Sequence, residues 1–318
     1  MKLSKIKIAV IGFGHLGKWH AQKAELFPQI SELKFIVEKM PANIEAAKAA
    51  HPNAQVVDDI SKCIHDIDAA FVVTPTSFHF ELVEFLLKNN KHVFCEKPLT
   101  ETIVQSLNLQ SLLENKKLVL QVGHSERFHQ VWERKKNYEK FFEAPAHIIF
   151  KRVAPFKGRA TDVDVVSDLM IHDLDLLVYL FGELPVSVES IGFKMRTNHF
   201  DYVSSNFKFK SGNIATITVG RNQTREVREL EISNKAGTLL VDLMRNEIQE
   251  ALGSENGPQF VNLDNYQKRD HLLLEHKHFY DSIQNGKQPV VSIVDGLLAV
   301  KLIDKVIESI KCGHEVMI

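Results

Sequence analysis

The feature that most constrains this chain is a short apolar run that ends in three closely spaced glycines. The run KIAVIG (residues 7–12) is typical of a strand, and Gly12, Gly14 and Gly17 follow it as a GxGxxG pattern at the start of a helical segment. In such a turn the first glycine permits the tight bend, the second lets a pyrophosphate approach the backbone, and the third lets the helix pack on the strand. The phosphates then lie at a helix N-terminus, where unpaired N–H groups favour negative charge. The pattern predicts a dinucleotide-binding βαβ unit.

The first 120 or so residues alternate between strand-like and helix-like segments. Residues 77–90 and 100–117 are amphipathic with helical spacing. The strand-like runs are rich in Val, Ile and Phe and lack clean alternation, which is typical of strands buried on both faces. They are residues 7–12, 33–38, 54–59, 69–74, 92–97 and 118–123. The alternation predicts right-handed βαβ units in a doubly wound parallel sheet, a Rossmann domain over residues 1–122.

The pattern changes after Gly123. A helix is predicted around residues 167–181, and the runs that follow it alternate or are β-branched, which favours antiparallel strands. These runs are residues 186–197, 202–210, 213–221 and 228–243. Two helical segments, residues 271–286 and 292–313, close the chain. The sequence therefore predicts a second α/β domain over residues 123–318, with an open, mostly antiparallel sheet that binds substrate and mediates oligomerisation.

Composition excludes several classes of function. The 318 residues include 39 basic and 40 acidic side chains, a net charge of −1, which gives no reason to expect nucleic acid or a membrane surface as partner. Three cysteines without CxxC spacing argue against a disulfide framework and against a bound metal. No apolar run approaches the roughly 18 residues of a spanning helix, and the N-terminal run is too short for a signal peptide. We expect a cytoplasmic protein.

Glu38 is the candidate for recognising the ribose of a dinucleotide. It ends the second predicted strand, 21 residues after Gly17, where a carboxylate can accept hydrogen bonds from a ribose diol and would repel a 2′-phosphate. We therefore predict NAD rather than NADP, although the neighbouring Lys39 could help to bind a phosphate. Phe13, His15 and Leu16 complete the predicted cofactor loop. The side chains of His15 and His20 are expected to face solvent or to pack beside the helix.

Lys97 lies where a strand ends inside the protein. The segment HVFCEKPLT (residues 92–100) places it beyond the carboxyl end of a predicted parallel strand, at the edge where open α/β sheets bind ligands. Pro98 restricts the backbone of Lys97 to an extended conformation and donates no hydrogen bond. The sequence thus predicts a positioned, half-buried lysine.

Three segments resemble the signature regions of the Gfo/Idh/MocA oxidoreductases. They are VTPTSFH (residues 73–79), HVFCEKPLT (residues 92–100) and SDLMIHDLDLL (residues 167–177), and the closing region from residue 279 is similar as well. The resemblance implies a Rossmann domain and an α/β domain that forms homodimers or homotetramers, with hydride transfer between a nicotinamide and a sugar, cyclitol or related alcohol. It also implies roles for several residues: cofactor contacts by Thr74, Pro75, Thr76, His79, Glu96 and Lys97, with Glu96-Lys97-Pro98 as the catalytic-lysine motif.

Asp168 and His172 are the candidates for proton transfer. They are four residues apart and Asp175 is three further, so an α-helix would place all three on one face. A carboxylate four residues before a histidine orients its ring and stabilises the imidazolium. The alternative is an Asp–His pair on a surface helix, with Asp168 near the N-cap. The resemblance places an Asp and a His four apart in this region, so we expect His172 to take the proton, Asp168 to orient it, and Lys97 to bind the reacting oxygen.

The substrate is indicated by VGHSERFHQVW (residues 122–132) and by the segment before the predicted catalytic helix. Both resemble the branch of the family that oxidises C3 of UDP-N-acetylglucosamine in lipid A sugar synthesis, where the first segment usually reads GHxERFNP. This chain has His129-Gln130 in place of Asn-Pro. A diphosphate needs cations, and the candidates, with His124, are Arg127, Arg152, Arg159, Arg221 and Arg225.

Three other functions remain open from the sequence. They are a dehydrogenase of a free sugar, inositol or similar alcohol, an NAD-dependent glycosidase of the same superfamily, and a non-catalytic regulator that senses a dinucleotide. The Lys97, Asp168 and His172 set argues against the regulator.

Overall fold

The computed structural model describes residues 5–158, 161–252 and 259–318. The chain forms two compact units. One contains the residues up to Ser125 and Asp270–Val300, and the other contains Glu126–Arg269 and Lys301–Ile318. The division differs from the predicted boundary at residues 122/123 mainly because the segment 270–300 packs with the first unit. Among the described residues, no helix has the length and apolar character needed to cross a membrane.

The described residues contain eight α-helices, labelled in chain order. They are α1 (His15–Ala24), α2 (Pro41–Ala50), α3 (His79–Lys88), α4 (Ile103–Leu113), α5 (Gln130–Glu133), α6 (Ile171–Phe181), α7 (His271–Asn285) and α8 (Ile293–Cys312). The helices predicted around residues 77–90, 100–117, 271–286 and 292–313 are confirmed. Thr102 fixes the start of α4, because its side chain accepts from the N–H of Gln105 while the Gln105 side chain accepts from the N–H of Thr102.

A six-stranded parallel sheet forms the centre of the first unit. Its strands are β1 (Ile6–Ile11), β2 (Ser31–Val37), β3 (Gln55–Val57), β4 (Ala69–Val72), β5 (His92–Glu96) and β6 (Leu120–Gly123). Their order is β3-β2-β1-β4-β5-β6, and every neighbouring pair is parallel. The predicted doubly wound parallel sheet is confirmed.

Helix α7 supplies aromatic side chains to the core of this sheet. Phe279 and Tyr280 are fully buried and belong to one cluster with Phe71 of β4 and Phe94 of β5. The amide of Gln121 in β6 also donates to the carbonyl oxygen of Glu275 in α7 at 3.1 Å. Parallel strands must be covered on both faces. Helix α7 helps to cover this sheet although residues 126–269 of the second unit separate it from β6 in sequence.

The second unit contains a nine-stranded sheet. Its strands are β7 (His147–Val153), β8 (Ser187–Phe193), β9 (Tyr202–Lys208), β10 (Ile214–Gly220), β11 (Val227–Asn234), β12 (Gly237–Asp242), β13 (Glu247–Leu252), β14 (Gln259–Asn265) and β15 (Val316–Met317). The order is β14-β13-β12-β11-β7-β10-β9-β8-β15; β7 and β10 pair in parallel and the other neighbours are antiparallel. This confirms the predicted α/β unit with a mostly antiparallel sheet.

The helix predicted around residues 167–181 is present, but it begins differently from the prediction. Val166–Met170 form a π-helical turn, and α6 continues directly from it. In a π turn the hydrogen bonds join residues five apart, so residues four apart do not stack as they do in an α-helix. Asp168 lies in this π turn whereas His172 and Asp175 lie in α6, so the alignment of the three residues on one helical face stays a prediction. Such turns are frequent at functional sites.

Candidate active site

The glycine loop between β1 and α1 is packed against its own backbone. Gly12 has φ +92°, and a Cβ there would lie 2.6 Å from the carbonyl oxygen of Val73. A Cβ at Gly17 would lie 2.0 Å from the carbonyl oxygen of Gly12. Gly14 differs, because a Cβ there would meet no heavy atom of the described residues within 4 Å. The first and third glycines thus permit the fold of the loop, and Gly14 leaves open the space that a pyrophosphate needs.

Glu38 follows β2 and is tied to the glycine loop. Its Oε2 accepts from the N–H of Phe13 at 2.8 Å, and its Oε1 accepts from the N–H groups of Lys39 and Met40 at 2.7 and 2.9 Å. Burial alone would raise the pKa of Glu38, but these backbone N–H groups, with the Asn43 amide, lower it overall. The carboxylate is therefore ionised and fixed at the end of β2, where the predicted ribose contact requires it.

The loop after β4 is joined to the segment after β5 by His79. Its Nδ1 lies 2.8 Å from the carbonyl oxygen of Pro98, and its Nε2 lies 2.9 Å from that of Thr74. Burial lowers the pKa of His79, and a neutral ring donates to one of the two carbonyls at a time. The predicted cofactor contact of His79 stays a prediction, since both ring nitrogens face backbone carbonyls. Within the described part of the chain, the buried Thr74 Oγ1 has no hydrogen-bond partner.

Lys97 follows the last residue of β5 and is half-buried. Its N–H donates to Glu96 Oε2 at 3.1 Å, and the Lys97–Pro98 peptide bond is cis. Glu96 Oε1 lies 2.9 Å from Nε2 of His20. Burial alone would raise the pKa of Glu96, but the hydrogen bond from His20 and the ammonium of Lys97 lower it overall.

These groups follow different strands but lie at one edge of the parallel sheet. Gly12 follows β1, Glu38 follows β2, Thr74 lies just beyond β4, and Lys97 follows β5. His124, fully buried, follows β6. Since open α/β sheets bind ligands at the carboxyl ends of their strands, the first unit contains a coherent candidate cofactor site. Pro75 and Thr76 lie in the segment after β4, and the exposed His15 and Leu16 begin α1 at the same edge.

In the second unit, Asp168 lies in the π-helical turn and His172 near the start of α6, and both are half-buried. The charge of His172 contributes to lowering the pKa of Glu126, so these two groups are close enough to interact. The predicted orientation of His172 by Asp168 and the role of both in proton transfer stay predictions.

The candidate substrate-binding arginines are engaged by carboxylates. Arg127 donates from Nε and Nη2 to the two carboxylate oxygens of Asp175 at 2.8 and 2.6 Å. Arg152 donates to Asp173 at 2.7 to 3.0 Å and to Glu126 at 2.9 Å. All of these side chains are buried.

The other two arginines in the described segments differ from each other. Arg221 donates to the buried Asp201 at 2.7 Å, and Arg225 is exposed. Arg159 lies outside the described residues. The diphosphate-binding role of the arginines stays a prediction, and sequence reasoning missed their carboxylate partners. Within the described part of the chain, no group of three His, Cys, Asp or Glu side chains could hold a metal ion.

Comparison with known proteins supports the resemblance over most of the chain. Residues 6–124 match the family model described as "Oxidoreductase family, NAD-binding Rossmann fold", and residues 157–318 match that of the "Oxidoreductase family, C-terminal alpha/beta domain". The chain belongs to the Gfo/Idh/MocA oxidoreductase family. The predicted NAD-binding Rossmann domain is thereby confirmed.

Two relatives within the Gfo/Idh/MocA family indicate the range of similar proteins. The UDP-N-acetylglucosamine 3-dehydrogenase of Acidithiobacillus ferrooxidans is 31% identical over 283 residues, covering 87% of this chain and 88% of that protein. Its solved structure has a TM-score of 0.86 at 28% identity and covers 98% of this chain and 99% of that one. The NAD(+)-dependent scyllo-inositol 2-dehydrogenase of Bacillus subtilis is 26% identical over 318 residues, with 92% and 91% covered.

Proposed function

We propose that this Gfo/Idh/MocA oxidoreductase oxidises a secondary hydroxyl group of a sugar, with C3 of a UDP-N-acetylhexosamine as substrate position and NAD as cofactor. The observation that carries the proposal is the placement of Lys97 at the same sheet edge as the glycine loop and Glu38. An amine there can act on an alcohol next to a nicotinamide. The 31% identical UDP-N-acetylglucosamine 3-dehydrogenase supports the choice of substrate.

The residues of the first unit fit NAD. The open space at Gly14 would accommodate the pyrophosphate, the ionised Glu38 would bind the adenosine ribose, and the buried hydroxyl of Thr74 would gain a partner. When bound, NAD supplies the acceptor for the hydride that leaves the alcohol carbon.

The catalytic roles follow from the charges that the reaction creates. As the hydroxyl proton is removed, negative charge develops on the alcohol oxygen, and a donor held at that oxygen stabilises this charge until the hydride leaves the carbon. Lys97 would supply that donor. His172 would accept the hydroxyl proton, and Asp168 would orient the ring and stabilise the imidazolium.

A second substrate class is favoured by the state of the arginines. Arg127 and Arg152 are bound by buried carboxylates, so their charge is already compensated where a diphosphate would need it. That observation favours an uncharged polyol, such as the substrate named for the 26% identical inositol dehydrogenase. Formation of homodimers or homotetramers is likewise a proposal.

The test is NADH formation by the purified protein with a panel of UDP-N-acetylglucosamine, glucose and myo- and scyllo-inositol. We expect turnover with the nucleotide sugar, and turnover with an inositol alone would select the second class. Lys97→Met should lower kcat by at least about 100-fold, the cost of removing a donor from a developing oxyanion, while calorimetric NAD binding is kept.

The matched control is Lys91→Met, which removes a half-buried lysine just before the start of β5. It should leave kcat unchanged. Substantial turnover by the Lys97→Met protein, or no turnover with any alcohol, would overturn the proposal.

A further inference from the structure

Behind Lys97 lies a chain of hydrogen bonds that runs through the core of the first unit. Glu96 Oε1 lies 2.9 Å from Nε2 of His20. Nδ1 of His20 lies 3.0 Å from Nε2 of His276, and Nδ1 of His276 lies 3.1 Å from the hydroxyl of Tyr280. Both histidines and Tyr280 are 0% exposed. Four titratable groups from α1, β5 and α7 are thus joined, and Glu96, at 9% exposure, is the one that solvent touches.

The environment of this chain is apolar, which limits the protons it can hold. The His276 ring stacks on Phe71 at 4.2 Å between centroids, and His20 packs on Phe71 and Phe94. Burial lowers the pKa of His276 well below its usual value. His276 is therefore neutral at physiological pH, with one N–H.

The direction of the hydrogen bonds follows from the ionised end. The Glu96 carboxylate can only accept, so Nε2 of His20 carries a proton and donates to it. A His20 ring with that single proton accepts at Nδ1 from the Nε2–H of His276. Nδ1 of His276 then accepts from the Tyr280 hydroxyl. Every donor in the chain then points toward Glu96. Moving the proton to the other nitrogen of either ring alone would leave at least one of these hydrogen bonds without a donor.

We propose that Tyr280, His276 and His20 form a one-way hydrogen-bond chain that fixes the Glu96 carboxylate against Lys97, which makes them positioning residues for that lysine. The proposal rests on the catalytic role of Lys97. The second oxygen of Glu96 accepts from the N–H of Lys97 at 3.1 Å, so the chain ends on the backbone of the lysine. Hydrogen bonds to a charged acceptor are stronger than neutral ones.

Gly123 supports the view that the position of this carboxylate is built into the fold. A Cβ at Gly123 would lie 2.9 Å from Oε2 and 3.1 Å from Oε1 of Glu96. The end of β6 therefore leaves just enough room for the carboxylate in the place where His20 and the Lys97 N–H hold it. The hydrogen-bond chain orients the Glu96 carboxylate, and Gly123 sets how closely that carboxylate approaches β6.

The first test needs no substrate. In protein labelled with ¹⁵N-histidine, long-range NMR correlations identify the protonated nitrogen of each ring. We expect His20 and His276 both to carry their proton on Nε2. A proton on Nδ1 of His276 would mean that the second half of the chain runs the other way, which would overturn the proposal.

The second test separates positioning from stability. His20→Phe keeps a ring in the core but removes the donor to Glu96, and we expect kcat to fall by about 10- to 100-fold, the cost of a displacement of about 1 Å near the reacting atoms. NAD binding and KM should change little. His20→Gln keeps a donor near the position of Nε2 and should recover most of kcat, which a purely structural role of the ring would not predict.

The matched control is His92→Phe at the opposite end of β5. His92 is half-buried and its Nδ1 accepts from the N–H of Val119 at 3.0 Å, so its loss costs stability without touching Glu96. A normal kcat in His20→Phe together with an inactive Lys97→Met would overturn the positioning role and leave the proposed function intact. An active Lys97→Met would overturn the function, and the NMR result would still decide the direction of the chain.

Discussion

Arg152→Met should destabilise the second unit by several kilocalories per mole. Arg152 donates to Asp173 from Nε at 3.0 Å to each oxygen and from Nη2 at 2.7 Å, and from Nη1 to Glu126 at 2.9 Å. The three side chains are no more than 8% exposed. Methionine fills much of the space of the arginine stem but leaves two buried carboxylates without their cation.

The magnitude follows from the partners that remain. Glu126 keeps His129 at 2.9 Å and Arg228 at 3.6 Å, whereas the charge of Asp173 loses all three of its hydrogen bonds from Arg152. Removing one partner of a buried ion pair costs about 3–5 kcal/mol. Because Glu126 stays partly compensated, we expect a loss of about 3–4 kcal/mol in the free energy of unfolding.

Trp132 makes the measurement specific to this network. The sequence has two tryptophans, Trp19 in the first unit and Trp132 in the second, and the indole N–H of Trp132 donates to the carbonyl oxygen of Glu126 at 2.8 Å. Trp19 is 48% exposed, so Trp19→Phe provides a mild background in which fluorescence reports the second unit. Urea unfolding of that background, with and without Arg152→Met, gives the difference directly.

The pH dependence gives an independent check on the cause. In wild type, burial alone would raise the pKa of Glu126, but Arg152 and His129 hold it well below its usual range. Burial already raises the pKa of Asp173 in wild type although Arg152 opposes the shift. Without Arg152 the pKa of Asp173 rises further and that of Glu126 rises as well, so the penalty is present at neutral pH and shrinks as the pH falls toward about 4.

A matched variant removes the charges as well as the cation. Arg152→Met combined with Glu126→Gln and Asp173→Asn should recover most of the loss, because no uncompensated charge stays buried. A difference below about 1 kcal/mol for Arg152→Met, the net worth of one ordinary hydrogen bond, would refute the reasoning. A penalty independent of pH would refute it as well.

Two further predictions concern the first unit and the thiols. Gly17→Ala should lower both the melting temperature and the NAD affinity, because its Cβ would overlap the Gly12 carbonyl oxygen. Gly14→Ala should keep the melting temperature and lower only the NAD affinity. Equal melting temperatures of the two variants would contradict this. A disulfide reagent should modify one thiol of the native protein, the exposed Cys312, and three after denaturation. Burial raises the pKa of Cys63 to about 11, and Cys95 is fully buried, so a second reactive thiol in the native state would contradict the structure.

The parallel sheet was predictable because the apolar runs in the sequence match the burial of the strands in the fold. Strands such as β4, with all four residues buried, read as continuous apolar runs, which is the signature of a parallel sheet covered on both faces. The packing of α7 on the first unit was not predictable, since an amphipathic helix does not specify which apolar face it covers. The π turn before α6 was not predicted either, because the spacing of apolar residues does not distinguish it from an α-helical turn.

The burial of His20 was missed although the sequence held a signal. Gly17, His20, Ala21 and Ala24 are the buried residues of α1, and their spacing is that of one helical face turned toward a core. A histidine on such a face is buried, and a buried histidine needs hydrogen-bond partners. Spacing alone could not identify those partners, because Glu96 and His276 are distant in sequence and meet His20 only in the folded unit.

Two of the three candidate catalytic residues, Lys97 and His172, are supported in the same way by their neighbours in sequence. Lys97 follows Glu96, which His20 binds in the core, and His172 precedes Asp173, which Arg152 binds in the core. In each case a buried carboxylate anchors the backbone, while the adjacent residue stays half-buried. Such an arrangement fixes the position of the adjacent residue without adding stability, since buried charged groups seldom stabilise a fold more than apolar ones would. It is the expected design where a reacting group must be held in a fixed position.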